Sequence, residues 1–322
     1  MSLKSCVKHS IFHSARYLPI FKLGKHKLRI VTYHNVGHIH LSADAFNQHL
    51  LFYKQHFEPF FAHEIPQLLE NNCKTDSGKP PIVLTFDDGM KNNATTAAPL
   101  LQKHNIKATF YLISRHLENQ RMIWNHELFC QLYIMTPKDR AKISPLLTAN
   151  EHANMSSGLR EQIQSFINDV KRWPQEEKDR LIESLPPLGH YDSLPNELKG
   201  AYQIMSLDDA RALPSCIDVG SHTLSHVILD KAPLASAVYE IAQSKVELES
   251  LLQRPIETFC YPNGFYTERT AQAVAQHYRV GLTTDEGFVR PGAPLNILNR
   301  ISSRSALIDL CARLYMPRKA PL

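Results

Sequence analysis

Pro80-Pro81-Ile82-Val83-Leu84-Thr85-Phe86-Asp87-Asp88-Gly89 is the stretch from which the rest of the chain is read. A short apolar run between two prolines and a glycine has the length and the β-branched content of a buried strand, not of a helix. It ends in two adjacent carboxylates and a glycine that lets the backbone turn sharply. Side chains alternate across a strand, so Asp87 and Asp88 face opposite ways while the strand stays regular. Where the backbone bends they can line one cavity with different partners. Two carboxylates so placed favour a cation or shift each other's proton affinity. The plainer reading is a strand closed by an Asp-Gly turn.

The sequence on either side repeats the pattern. Leu28-Arg29-Ile30-Val31-Thr32-Tyr33 predicts a first core strand ending in His34-Asn35, and Ala45 to Tyr53 has helical spacing. Ile65 to Leu69 predicts a short helix, Pro99 to His104 another, and Ile106 to Ile113 the next strand. Strand, helix, strand, helix is the rhythm of a parallel α/β fold. It breaks from about 117 to 205, where a polar, helical segment is chopped by six prolines at 137, 145, 174, 186, 187 and 195. We read that segment as an insertion or cap. Trp124 and Trp173, the only tryptophans, lie in it; core packing and sugar stacking are both uses for them.

The rhythm then returns. Ser206 caps a helix with an acidic first turn, and Ile217 to His222 predicts a strand. A long helix over 232–252 follows, then a strand over 257–261 broken by Pro262-Asn263-Gly264. A helix over 267–277, strands over 280–284 and 298–301, and a final helix complete the chain. The expected organisation is a leader over 1–27, a first barrel part over 28–116, the insertion over 117–205 and a second part over 206–322.

Composition sets wide limits. With 322 residues, 43% hydrophobic and 21% charged, the chain can bury a large core and is not of the disordered class. A net charge of +5 is mild at this length and does not call for nucleic acid as a partner. No apolar run is long enough to span a bilayer. The six cysteines stand singly, with no CxxC pair, which fits a reducing compartment and argues against a disulfide framework. Residues 1–29 hold seven basic and no acidic side chains among apolar ones, without the unbroken core of a secretory signal. A cytoplasmic protein is expected, with peripheral contact at the inner membrane face through this leader; deleting 1–27 with no change in membrane partitioning would remove that contact.

His222-Thr223-Leu224-Ser225-His226 sets two imidazoles four apart, so that one helical turn would present both to one ion. Among 17 histidines chance supplies about one such pair, and His9 with His13 and His34 with His38 share the spacing. Context separates this pair: it follows Gly220-Ser221 at a strand's end, the same setting as Asp87-Asp88. In parallel α/β folds such strand ends meet in one mouth. One carboxylate with two imidazoles leaves positions open on the ion, as catalytic sites require.

Thr85-Phe86-Asp87-Asp88-Gly89, Gly220 to His226 and Phe259-Cys260-Tyr261-Pro262-Asn263-Gly264, in that order, resemble the three motifs of the polysaccharide deacetylases (carbohydrate esterase family 4, the NodB-homology domain). Glu240 to Glu249 is also similar to that family. The likeness covers roughly 28–113 and 205–302. It implies an α/β fold, a distorted (β/α) barrel of the polysaccharide deacetylase type, carrying here a helical insertion. It further implies that Asp87 is the general base and that Asp88, His222 and His226 hold a divalent metal. Zinc stands first among zinc, cobalt, nickel and iron. The loop of Tyr261, Pro262 and Asn263 would contact substrate, with a backbone N–H near Asn263 serving the oxyanion.

Two departures stand out. The third motif of the family carries an arginine that orients the base, and this chain has Cys260 there; Arg300 is the candidate substitute. The leaving-group acid, a histidine usually found late in the chain, is missing, because only His277 follows His226. A branch of the family places it at the end of the first strand, which Tyr33-His34-Asn35-Val36 matches, so His34 is the expected acid. The resemblance therefore implies removal of N-acetyl groups from the amino sugars of a polysaccharide, or of a lipid-linked glycan precursor. Three rivals remain: a glycan-binding protein that kept the fold without turnover, a glycosidase using Asp87 and Asp88, and a basic adaptor working through the leader. Adjacent carboxylates suit a glycosidic acid/base pair poorly.

Overall fold

The strand centred on Ile82 to Thr85 is the pivot of a closed parallel barrel. A computed structural model of the chain describes residues 27–38, 41–144, 157–186, 188, 194–290 and 292–316; nearly all of the basic leader lies outside them. The strands are β1 (Arg29–Tyr33), β2 (Glu58–Phe60), β3 (Pro81–Phe86), β4 (Ala108–Leu112), β5 (Ile217–Ser221), β6 (Thr258–Cys260), β7 (Val280–Glu286) and β8 (Leu298–Ser302). All of the ladders are parallel, in the order β1-β8-β7-β6-β5-β4-β3-β2, and a further β1–β3 pairing, Arg29 with Ile82 through Tyr33 with Phe86, closes seven of them into a ring.

The ring is uneven. Along β3, residues Pro81 to Val83 pair with β2, while Thr85 and Phe86 pair with β4 on the same side. The β5–β6 ladder is likewise a single pair, Ser221 with Phe259. Short ladders of this kind make the barrel distorted. β2 is the one strand the sequence reading misses: it has three residues with a proline in the middle, which weakens any strand signal and suits only marginal pairing.

Outside β2 and the end of β7, both faces of the strands are largely buried, as parallel strands between a barrel interior and a helical coat require. Ile30, Val83, Tyr111, Cys260, Leu282 and Leu298 pack together inside. Their alternates Val31, Leu84, Phe86, Phe110, Val219 and Phe259 pack outward with the helices. Gly220 makes this possible at β5: a Cβ there would lie 2.3 Å from the Tyr111 ring and 2.5 Å from Thr258 Oγ1.

The helices start where the sequence supplies caps. Ser42 accepts from the Ala45 N–H ahead of the helix Ala43–His56, and Ser206 with Asp209 forms a capping box on Leu207–Arg211. The long helix Leu234–Leu252 stops at Gln253, in the left-handed conformation. Between Trp124 and Tyr202 the described residues form five helices in place of the strand–helix alternation, and these share an apolar cluster of their own, around Leu128, Leu132, Ile163, Ile167, Val170 and Leu198. Trp173 stands edge-on to Phe166 in this cluster. The end of the segment is stitched to the loop after β3: Lys91 N donates to Gln203 O at 2.7 Å and Met205 N to Gly89 O at 2.9 Å, beside a Met90–Ile204 bridge. No helix among the described residues is long and apolar enough to cross a membrane.

Candidate active site

The inward alternation Val83, Thr85, Asp87 carries one carboxylate into the barrel mouth. Asp87 is almost fully buried and is met by Arg300, which reaches across from β8. The guanidinium grips both carboxylate oxygens, Nη1 to Oδ1 at 2.8 Å and Nη2 to Oδ2 at 2.7 Å, while Nε donates to Thr283 O and Nη1 also to Thr85 Oγ1. Such a fork-to-fork pair fixes direction as well as charge. Burial alone would raise the Asp87 carboxyl, but Arg300 outweighs it and holds the pKa at about 2. Cys260, at the position of the family's motif arginine, lies inside the same barrel and is fully buried.

Asp88 leaves the strand. Its φ of 76° and that of Gly89, 64°, are left-handed, and this kink frees Asp88 from the alternation that would have turned it away. Asp88 Oδ1 then lies 3.4 Å from His222 Nε2 and 3.3 Å from His226 Nε2. The two histidines do not share a helical turn, as their spacing suggests. Thr223 and His226 are both left-handed, and the loop is fixed from outside: Glu240 accepts from Leu224 N, Ser225 N and Ser225 Oγ, and His226 N donates to Thr223 Oγ1.

The three side chains fit a divalent cation. Two ligands bound at about 2.1 Å to one tetrahedral ion stand about 3.4 Å apart, which the observed separations match; charge-assisted hydrogen bonds are shorter, about 2.7–2.9 Å. His222 Nδ1 donates to Cys260 O at 2.7 Å, which orients the ring so that Nε2 is the nitrogen turned to Asp88 and the one placed to bind a cation. His226 Nδ1 is buried without a hydrogen-bond partner among the described residues. Burial alone would raise the Asp88 carboxyl, yet the neighbouring imidazoles hold it well below the usual range, ionised and ready for a cation. Asp87, His222 and Cys260 also cluster, but the Arg300 fork already occupies both oxygens of that carboxylate.

The remaining expected residues divide. His34 is half exposed at the end of β1, its Nε2 3.9 Å from Asp87 Oδ2, on the open side of the site. Asn263 has a φ of 56° and its N–H meets no backbone acceptor among the described residues. Tyr261 and Pro262 are buried, and the Tyr261 hydroxyl donates to Asn296 O at 2.8 Å, so that ring is committed to packing. Two supporting residues had no role assigned from the sequence, Glu240 appearing there only as the start of a stretch similar to the family. Asn92 accepts from Val36 N and donates to Asn35 Oδ1 and Gly200 O, thereby anchoring the His34 loop. Glu240 holds the histidine loop. Each acts across a long sequence separation, and no spacing rule points to either.

A family model described as polysaccharide deacetylase matches residues 74–173 and 210–281. No curated protein matches the sequence. Among solved structures, the chain is similar to the Streptococcus pyogenes deacetylase PplD in complex with acetate, at 20% identity and a TM-score of 0.58, covering 88% of this chain and 98% of that one. It is also similar to IcaB from Ammonifex degensii (16%, TM-score 0.55, 90% and 95% covered). The BpsB deacetylase domain from Bordetella bronchiseptica gives 13%, TM-score 0.51, and 88% and 97% covered. At these identities the likeness is one of fold.

Proposed function

Since the chain belongs to the polysaccharide deacetylase family, we propose that it is a metal-dependent hydrolase that removes N-acetyl groups from amino sugars of a glycan. The observation that carries this is the placement of Asp88 Oδ1 between two imidazole nitrogens, with the clamped carboxylate of Asp87 beside it. Asp88, His222 and His226 would hold the cation. When bound, a divalent ion of this type polarises an acetamide carbonyl and makes a water more acidic.

The side chains account for the rest. Asp87 is ionised at any working pH and takes the water proton as the oxygen–carbon bond forms. Arg300 keeps its carboxylate turned to the mouth. The Asn263 N–H donates to the carbonyl oxygen as that oxygen gains negative charge. His34 delivers a proton to the nitrogen as the carbon–nitrogen bond breaks, giving acetate and a free amine. The half-exposed setting of His34 lets it exchange protons with solvent between turnovers.

A glycan-binding protein without turnover is the rival, motivated by Cys260. The Arg300 fork on Asp87 favours the enzyme, because the base-orienting contact is present from another strand. The test is acetate release from N-acetylated chito-oligomers by purified, zinc-loaded protein. Release that stops with chelator and returns with zinc is expected; binding without release would establish the rival.

A further inference from the structure

Two helices of the insertion, Trp124–Ile134 and Ser157–Val170, lie antiparallel: Arg160, at the start of the second, stacks on Tyr133 near the end of the first, 4.8 Å from the ring centre. From Arg160 to Lys171 is about three turns, roughly 16 Å of rise, so Lys171 comes out beside the first turn of the other helix, where His126 stands. That turn is tied to the site. His126 N donates to Ile123 O, and Ile123 packs with Met90, Ile113 and Ile204; Met90 directly follows Asp88-Gly89. The His126 ring lies on Tyr202, with 4.6 Å between centres. Past Lys171 the chain meets the loop that continues from His226, where Gln175 N donates to Lys231 O at 3.4 Å. Lys171 thus sits on a segment flanked by contacts to the loops that carry Asp88 and His226.

Its charge has no counterpart in the insertion. The neighbouring cations are committed: Lys178 lies 5.5 Å over the Trp124 ring, Arg160 pairs with Glu197 at 3.1 Å and Lys231 with Asp230 at 2.9 Å. The half-buried Lys171 makes no side-chain hydrogen bond or ion pair among the described residues. Burial lowers its pKa, and the carboxylate that raises it is Asp88. Burial is also the main reason that His126, down to about 3, and His226 are low, and the charge of Lys171 adds to both. The lysine and the candidate metal ligands therefore share one electrostatic setting. With a divalent ion on Asp88, His222 and His226, the two negative charges of Asp87 and Asp88 stand against four positive ones, from the ion, Arg300 and Lys171. A neutral acetamide does not correct that excess, whereas an anionic substituent beside it does.

We propose that Lys171 is a specificity-determining residue that binds an anionic group, a phosphate or a carboxylate, borne by the N-acetylated sugar near the scissile bond. The inference rests on the deacetylase reading, makes the insertion a part of substrate selection and commits the substrate to an acidic sugar. The experiment measures kcat/KM for acetate release by zinc-loaded protein from N-acetylglucosamine 1-phosphate, N-acetylmuramic acid and N-acetylglucosamine. Given the usual strength of a charged hydrogen bond, wild type is expected to favour one of the acidic sugars over the neutral one by about 10-fold or more. Whichever acidic sugar leads identifies phosphate or carboxylate as the group recognised.

Lys171→Met should bring that ratio towards 1 and Lys171→Glu below it, while Lys171→Arg, which keeps the charge, should retain most of it. Raising salt from about 0.05 M to about 0.5 M should shrink the wild-type preference. The binding arm needs no turnover: calorimetry compares glucosamine 1-phosphate and muramic acid with glucosamine on metal-free and on zinc-loaded protein. The anion preference should be present in wild type and lost in Lys171→Met in both forms. A ratio near 1 in wild type, a preference that Lys171→Met leaves in place, or one indifferent to salt overturns the assignment and leaves the deacetylase reading intact. Absence of acetate release from all three sugars, with anion binding that still depends on Lys171, would overturn the activity and keep the anion site.

Discussion

Replacing Arg300 by Met removes the guanidinium that grips Asp87 and leaves a carboxylate buried inside the barrel. The magnitude follows from two routes. A pKa depressed from 3.8 to about 2 corresponds to about 2 kcal/mol of stabilisation at neutral pH. Breaking a buried pair from one side costs about 3–5 kcal/mol, because the surviving charge stays desolvated. The expected loss at pH 7 is therefore about 2–5 kcal/mol. Its pH dependence has a definite sign. In the wild type the Asp87 pKa is lower folded than unfolded, so its contribution is complete above about 3.8 and fades as pH falls towards 2. In Arg300→Met, burial, already the largest single influence, is no longer offset by the guanidinium and raises that pKa. The carboxylate then destabilises the fold above its new pKa, and protonation at low pH relieves it. The gap between the two proteins should be widest at pH 7 and narrow by pH 4. Urea unfolding of metal-free protein at both pH values measures it. Equal stability at pH 7, or a loss of the same size at pH 4, would refute the claim that this ion pair governs the site.

Two further outcomes follow from the same geometry. His34→Ala should keep stoichiometric zinc by metal analysis and lose about 10²–10⁴-fold in kcat, and full turnover would exclude it as the acid. Cys260→Arg, which restores the family's motif residue, should abolish soluble expression or lower stability by about 3 kcal/mol or more, since a second guanidinium enters a filled interior already holding Arg300. Pairing it with Arg300→Met should recover part of the loss, and a neutral Cys260→Arg single variant would contradict the packing described.

Much of the barrel was legible because its strands obey simple patterns. Ile30–Tyr33 and Pro81–Phe86 are uninterrupted apolar or β-branched runs, and the polar breaks between them are clear. The positions of Asp88, His222 and His226 at strand ends were legible for the same reason. The means of convergence were not. Left-handed backbone at Asp88, Thr223 and His226 is written by tertiary contacts, and none of these residues is a glycine that would announce it. The Arg300–Asp87 fork spans 213 residues of sequence, so only a prior idea of what the base needs made Arg300 a candidate. Asn92 had no such prompt.

The stitching of Gln203 and Met205 to Lys91 and Gly89 has an engineering consequence. These backbone contacts brace the very turn that swings Asp88 out of its strand. Anyone trimming the chain to a minimal barrel by cutting out the helices from Trp124 onward must therefore end the excision before Gln203. A deletion carried through Met205 would spare Asp88, His222 and His226 and still loosen their arrangement, because the Asp88 carboxylate would lose the brace that sets its angle.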